Sequence, residues 1–467
     1  MGHITPAAAQ RGLGVIIIGG GITGLALALG LQARGVKYMV YERASGFHEI
    51  GAGVGFSPNA ERAMIELNPD VHRAFRQVAN PNGEDYFQWI DGYQTGELIY
   101  KLYLGEGMFQ GCRRSELIDE LAKLVPKENV VFKKQAEMIF EDTDGRPTVV
   151  FQDRENVSAD IARIVIGCDG IHSKVRRLLL GEDNPASYPG YTQKYCFRAM
   201  IGTCEVQDAF NNPNKDITST RYMYNGPGAH IITYPVAMGT LLNVLVVLSD
   251  PDDWNTAGGK HTVMAKKRDI VKVFEAWRSP AVKALIRLLP EELDKWAIFD
   301  MLDHPAPKYN DGCAAIAGDA AHAAGPHLGA GAGFGIEDAV VLATAIAHVD
   351  KKVSTGRVAD AEKVDMCSKA LSAYNGVRYD RTQWLVGATR GHGLDENGAL
   401  RDDIFRGAGR TSSATEEGKA SESEISRLFH EIWDYDIDRM VKEAVAGLGA
   451  AESTEEVVHE PWLISSI

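Results

Sequence analysis

The stretch GVIIIGGGITGLALALGLQARG, Gly14 to Gly35, constrains this chain more than any other. A β-branched apolar run, Val15 to Ile18, meets Gly19, Gly21 and Gly24 in G-x-G-x-x-G spacing, and small apolar residues at helical spacing follow to Arg34. The pattern predicts a strand, a tight turn and a helix. Gly19 suits the turn, Gly21 lets backbone approach a pyrophosphate, and Gly24 lets helix and strand pack closely. The helix N-terminus adds free N–H groups and the positive end of a dipole, so a diphosphate belongs there. Tyr38 to Tyr41 predict a second strand, and Glu42 falls about 20 residues past the glycines, where a carboxylate can accept hydrogen bonds from a ribose. This stretch alone leaves FAD and NAD(P) equally open.

At 467 residues the chain has room for two or three domains with ample core. Its net charge of -14, from 49 Lys+Arg against 63 Asp+Glu, argues against nucleic acid or an anionic membrane surface as a general partner. The cysteines Cys112, Cys168, Cys196, Cys204, Cys313 and Cys367 include no C-x-x-C and lie mostly in apolar contexts. They are expected as reduced core thiols, with no metal site, in a cytoplasmic protein. MGHITPAAAQRG lacks the apolar core of a signal peptide and is expected to be a disordered lead-in. The apolar run from Val15 is interrupted by glycines and too short to span a membrane, and AESTEEVVHEPWLISSI is not expected to act as an anchor.

Beyond Glu42, Gly51, Gly53 and Gly55 leave bare backbone on one side, which suits a flat ring, and Pro58 is a first helical residue. CRRSELIDELAKLV predicts a helix with Ser115 as N-cap, placing Arg113 and Arg114 just before it. Residues 129 to 168 alternate as strands, and Asp169 and Gly170 end the last, ahead of a helix carrying Ser173 and Arg176. From Tyr188 the segments YTQKYCFRAMIGTCEV, TSTRYMYNGPGAHIITYPV and TLLNVLVVLSD predict long antiparallel strands, with turns at Gly226 to Gly228 and Met238 to Gly239. VMAKKRDIVKVFEAW and AVKALIRLLPEELDKW are expected as amphipathic helices backing that sheet. A buried strand, Cys313 to Ala317, then ends at Gly318 and Asp319, and a glycine-rich stretch leads into a long helix. Asp319 can bond a sugar alcohol there, and the helix can aim its N-terminus at a polar ring edge. Helical pattern resumes from Ala359 to Trp384, GRTSSATEEGKASES is expected as a surface linker, and ISRLFHEIWDYDIDRMVKEAVAGL as one terminal helix that docks or dimerises.

Together these pieces resemble the FAD-dependent aromatic hydroxylases, the single-component flavoprotein monooxygenases. Three motifs carry the resemblance: the Gly19/Gly21/Gly24 loop with Glu42, C-D-G-I-H-S-K-V-R from Cys168 to Arg176, and G-D-A-A-H-A from Gly318 to Ala323. P-H-x-G-A-G at Pro326 to Gly331 and W-D-Y-D-x-D at Trp433 to Asp438 are most similar to salicylate hydroxylases and to fungal hydroxylases that dearomatise polyketide phenols. The resemblance implies an α/β fold: a Rossmann-type (GR2-like) FAD-binding domain from 1–185 and 301–390, an inserted antiparallel substrate sheet at 186–300, and a C-terminal linker and helix at 391–467. It implies FAD on the first loop, Glu42 on the adenosine ribose, Gly55 and Arg114 along the flavin, Asp169 in the second motif, and Asp319 and Ala332 at the ribityl chain and ring. It also implies NADPH or NADH as a transient reductant, O2 as co-substrate, a phenolic substrate, and a monomer or homodimer.

The oxygen that such enzymes deliver is electrophilic, so a phenolate reacts far better than a phenol. Ionising a phenol of pKa near 10 at neutral pH takes roughly 3 units, or about 4 kcal/mol. An exposed ion pair, worth up to about 1 kcal/mol, cannot supply that. Arg198 in KYCFRAMIG is one charge in an apolar strand, expected as a buried cation able to hold a phenolate. Tyr234 in HIITYPV is expected on a facing strand, where it can donate to the same oxygen. The resemblance assigns both to substrate, and Tyr234 favours dearomatisation over decarboxylative hydroxylation. His327 is expected at the pocket or flavin, and His322 as structural.

Overall fold

The computed structural model describes residues 12–47, 52–105, 108–142, 145–153, 156–157, 163–212, 214–254, 260–355, 358–390 and 416–450. The lead-in to residue 11, Gly51 and the tail from residue 451 lie outside them, as do residues 391–415, which take in the first part of the expected linker.

Val15 to Ile18 are apolar throughout because their strand is covered on both sides. It lies inside a six-stranded sheet ordered Asn310–Asp311, Ala314–Ile316, Ile164–Gly167, Gly14–Ile18, Lys37–Glu42 and Val130–Phe132. All neighbours are parallel except the Asn310–Asp311 edge. The helices Ile22–Ala33 and Gly331–Val353 pack together at Gly30, where a Cβ would stand 3.0 Å from the Ala343 methyl. By length and composition Gly331–Val353 could cross a membrane, yet 78% of its apolar stretch is buried inside the fold.

The second large sheet has eight strands, ordered Thr262–Lys266, Glu292–Asp300, Gly190–Gly202, Leu241–Ser249, Ala229–Val236, Tyr222–Gly226, Tyr86–Asp91 and Leu98–Tyr103. Period-two alternation divides its faces. Phe197, Ala199, Val244, Val246 and Ile231 pack on helices that carry Ile270, Phe274, Val282 and Leu285. Cys196, Leu245, Ile232 and Tyr234 turn the other way, toward Phe334, Leu385 and Trp433. This is the α/β architecture that the motifs imply, with parallel and antiparallel sheets side by side.

Several local expectations need correction. Two strands of the substrate sheet, Tyr86–Asp91 and Leu98–Tyr103, come from well before residue 186, and the first pairs in parallel with Tyr222–Gly226. Thr262–Lys266, at one edge of the sheet, and its neighbour Glu292–Asp300 are strands where helix was expected, leaving shorter helices at Lys267–Phe274 and Pro280–Leu288. Ser115 lies inside the helix Arg114–Leu124, whose N-cap position is Arg113. The terminal helix is two, Glu416–Trp433 and Ile437–Ala450, and the first begins inside the expected linker. Five cysteines are buried free thiols, while Cys204 is exposed.

Candidate active site

A cavity of about 610 Å³ opens between the two sheets and joins the glycine loop to the antiparallel sheet. Gly19 has φ +104°, and a Cβ on it would come 2.4 Å from the Cys168 carbonyl oxygen, so only glycine fits this turn. A Cβ on Gly24 would collide with the Gly19 carbonyl, which is the close helix–strand packing expected. Gly21 differs: a Cβ there would meet only Arg114 Nη2, at 3.8 Å, and Gly21 itself borders the cavity. The bare backbone at Gly21 therefore faces ligand space.

The acid that closes the motif is held in place by the backbone. Glu42 Oε2 accepts from Gly20 N at 2.7 Å and Oε1 from Ala44 N at 2.8 Å. Asp169 turns its carboxylate into the next helix, accepting from Ser173 Oγ at 2.5 Å, Lys174 N at 2.7 Å and Val175 N at 3.1 Å. Burial pushes that carboxyl up, against the pull of the Ser173 and backbone hydrogen bonds. The buried Arg176 guanidinium donates to the carbonyl oxygens of Ala186, Ala320 and Ala321 and so ties the second motif to the third.

The third motif is anchored from below. Asp338 Oδ2 accepts from Gly318 N at 2.8 Å and meets His322 Nε2 at 2.6 Å, so His322 is structural as expected. Asp338 Oδ1 accepts from Arg378 Nε at 2.7 Å, and Arg378 Nη1 donates to Glu337 Oε2 at 2.5 Å. Glu337 also accepts from Arg381 and Asn59. This sealed network fixes Asp319 and the start of the Gly331–Val353 helix at the cavity wall, where Ala332 also lies. Gly55 and Arg114 line the same cavity. Burial pulls the Arg114 guanidinium down, Asp319 opposes that and Arg198 adds to it.

The sheet supplies the floor. Arg198, Leu245 and Ile232 form one cross-strand row, and Met200, Asn243 and Tyr234 form the next on the same face. At about 4.8 Å per strand, Arg198 and Tyr234 start two strands and two residues apart and converge only through their side chains. Arg198 corrects the expectation of a buried cation: its side chain is exposed into the cavity, its Cζ 5.7 Å from the Trp296 ring centroid. Tyr234 is buried and set edge-on to Phe109 at 5.6 Å. Burial pushes its hydroxyl up, with Arg221 and then Arg198 acting against it. Gly53 N donates to Asn243 Oδ1 at 3.1 Å, fastening the Gly53–Phe56 strand to the floor.

One cavity thus gathers Gly21, Gly55, Arg114, Asp319, Ala332, Arg198 and Tyr234. Glu42 sits behind the loop, and His327, expected at the pocket or flavin, lies beside the cavity and outside its lining, its Nδ1 3.4 Å from His230 Nε2 on the floor's inner face. Burial depresses both imidazoles, His230 to about 3. Sequence reasoning passed over Arg221, a fully buried cavity-wall guanidinium, although TSTRYMYNG shows the same signal as Arg198: one charge entering an apolar strand.

The loop geometry accommodates a dinucleotide, and it gives a direct test. Gly21→Val is expected to leave the melting temperature of the apoprotein unchanged while weakening FAD binding at least about tenfold, because the added methyls fill ligand space and touch no backbone. Fluorescence titration of apoprotein with FAD measures it, and unaltered affinity would place the diphosphate elsewhere.

A family model described as an FAD-binding domain matches residues 13–361. The dual trans-enoyl reductase/FAD-dependent monooxygenase tazHJ of Aspergillus terreus is 45% identical over 440 residues, 93% of this chain, which spans 60% of that longer relative. The FAD-dependent monooxygenase pigN of Monascus ruber is 44% identical over 437 residues, covering 92% of this chain and 95% of the relative. The solved structure of a salicylate hydroxylase substrate complex matches with a TM-score of 0.76 at 26% identity, over 93% of this chain and 98% of that one.

Proposed function

We propose, since this chain belongs to the FAD-dependent monooxygenases, that it uses NAD(P)H and O2 to hydroxylate a polyketide-derived phenol, with loss of aromaticity at the carbon attacked. The observation that carries this reading is the single cavity running from the bare backbone of Gly21 to a floor bearing Arg198 and Tyr234. When bound, FAD supplies the transfer of electrons from the reductant and the activation of O2. One oxygen atom enters the ring and the other leaves as water.

The protein's own part is to bind and orient the substrate and to stabilise its ionised oxygen, the proton passing to solvent. Gly21, the Ile22–Ala33 helix N-terminus and Glu42 hold the dinucleotide; Gly55, Arg114, Asp319 and Ala332 frame its ring end. Arg198 and Tyr234 meet the substrate oxygen from neighbouring rows of the floor. In this open cavity Arg198 is solvated, and its field on a phenolate is weak. A ring lying over it, against Trp296, excludes that water, and the same charge then counts for several-fold more. Ionisation is thereby coupled to substrate binding.

Incubating the FAD-loaded protein with NAD(P)H and a panel of substituted phenols under labelled O2 tests the reading. Products heavier by one labelled oxygen, with the carbon count kept and NAD(P)H required, are expected. Loss of a carboxyl carbon would favour a salicylate-type reaction instead, and turnover without NAD(P)H would favour an oxidase.

A further inference from the structure

Arg221 is buried to 2% exposure, with its Cζ 4.1 Å from the Phe87 ring centroid and 4.3 Å from that of Phe109. Phe429 adds a third ring at 5.9 Å. Among the described residues no carboxylate pairs with it, and its Nε and Nη1 are buried without a hydrogen-bond partner. Its backbone is fixed, Arg221 N donating to Asn82 Oδ1 at 2.8 Å. The residue stands one step before the Tyr222–Thr233 pair and therefore beside Tyr234 on the floor. Opposite, Gly329 has φ +65°, and a Cβ on it would come within 3.3 Å of Arg221 Nη2.

A guanidinium in such a place is costly unless its charge is answered. Aromatic faces answer it in part. The rings occupy the sides of the group, so an anion has access from the cavity that Arg221 borders, along the edge that Gly329 leaves clear. Arg198, on the far side of Tyr234, lies three strands from Arg221 and two residues along the floor, so one substrate oxygen near Arg198 does not satisfy both. We propose that Arg221 receives a second oxyanion of the substrate, a carboxylate or an ionised hydroxyl remote from the hydroxyl held by Arg198 and Tyr234. This rests on the phenol reading above and makes Arg221 a specificity determinant: the ring is held at both ends of the floor, which fixes the carbon presented for attack.

Binding of four probes to the FAD-loaded protein, followed by perturbation of the flavin absorbance without reductant, tests the assignment. The probes are phenol, 1,3-dihydroxybenzene, 4-hydroxybenzoate and 3-(4-hydroxyphenyl)propanoate. In the wild type at least one probe with a second oxygen is expected to bind about tenfold or more tighter than phenol, the carboxylates and the diol separating the two sources of oxyanion. In Arg221→Met that ratio is expected to collapse to about one, and in Arg221→Lys to fall between. No advantage over phenol in the wild type, or an advantage that survives in Arg221→Met, overturns the proposal. The wild-type ratios decide even if the methionine variant does not fold. Arg198→Met separates the two readings: it is expected to weaken all four probes alike, and its failure to do so would count against the phenolate site while leaving the Arg221 ratio to be judged alone.

Discussion

Arg198→Ala is expected to retain FAD and to keep oxidising NAD(P)H, while hydroxylated product falls at least about a hundredfold and the missing electrons appear as hydrogen peroxide. Ionising a phenol at neutral pH takes about 4 kcal/mol. Hydrogen bonds to a charged partner contribute about 1.5–3 kcal/mol each once water is excluded. Arg198 and Tyr234 together cover that range, and losing the charged member removes about 2.7 kcal/mol or more, a factor of about one hundred in rate. Flavin loading should persist because Arg198 stands on the floor, while Gly21 and Glu42 stand at the loop. Arg198→Lys should recover part of the product, having the charge without the planar fork. Oxygen electrode and peroxide assays on the same sample measure the partition; coupled turnover near the wild-type level would mean that the phenolate forms at some other cation.

Arg378→Met is expected to cost about 3–5 kcal/mol of stability, because it strands two carboxylates of a network with no access to water. Glu337 keeps Arg381 and Asn59, and Asp338 keeps Gly318 N and His322, but each loses a charged partner. Burial pushes both carboxyls up, yet in the intact network the cations outweigh it and hold them below their ordinary values: Arg378 and Arg381 for Glu337, His322 and Arg378 for Asp338. A lowered native pKa means stability that is complete above the unfolded value near 4 and is lost as pH falls through the native one. Acid unfolding of the wild type should therefore set in below about pH 4, and in Arg378→Met at higher pH, where burial is no longer outweighed. Urea melts between pH 3 and 7 give both quantities, and a variant melting with the wild type would show the network to be dispensable.

The parts of the fold that could be read in advance were those with local causes. The Gly19 turn, the Val15–Ile18 strand and the Asp319 loop each announce themselves within a few residues, because a phosphate turn leaves little choice of side chain. The two hairpins of the floor were legible from Gly226–Gly228 and Met238–Gly239 for the same reason. What escaped depends on distant partners. Nothing in YFQWID says that it adds to Tyr222–Gly226, more than 130 positions away. Thr262–Lys266, the edge strand, and Glu292–Asp300 beside it adjoin helices and carry lysines and acids, so their charges imitate a helical face. At the site, single charges in apolar strands were the useful signal. It found Arg198 and, applied evenly, would have found Arg221. It could not tell that the first opens into the cavity and the second lies among phenylalanines, because both differ only in what other segments bring over them.

The parallel seam between Tyr86–Asp91 and Tyr222–Gly226 bears on how such proteins can be recombined. A chimera that exchanges only the contiguous 186–300 block with a relative would graft a floor cut along its middle, setting the strand beside Arg221 against a neighbour from the other parent whose side chains are not matched to it. Transplanting substrate preference requires moving residues 86–103 along with that block, so the unit of inheritance for this pocket is a pair of separated segments.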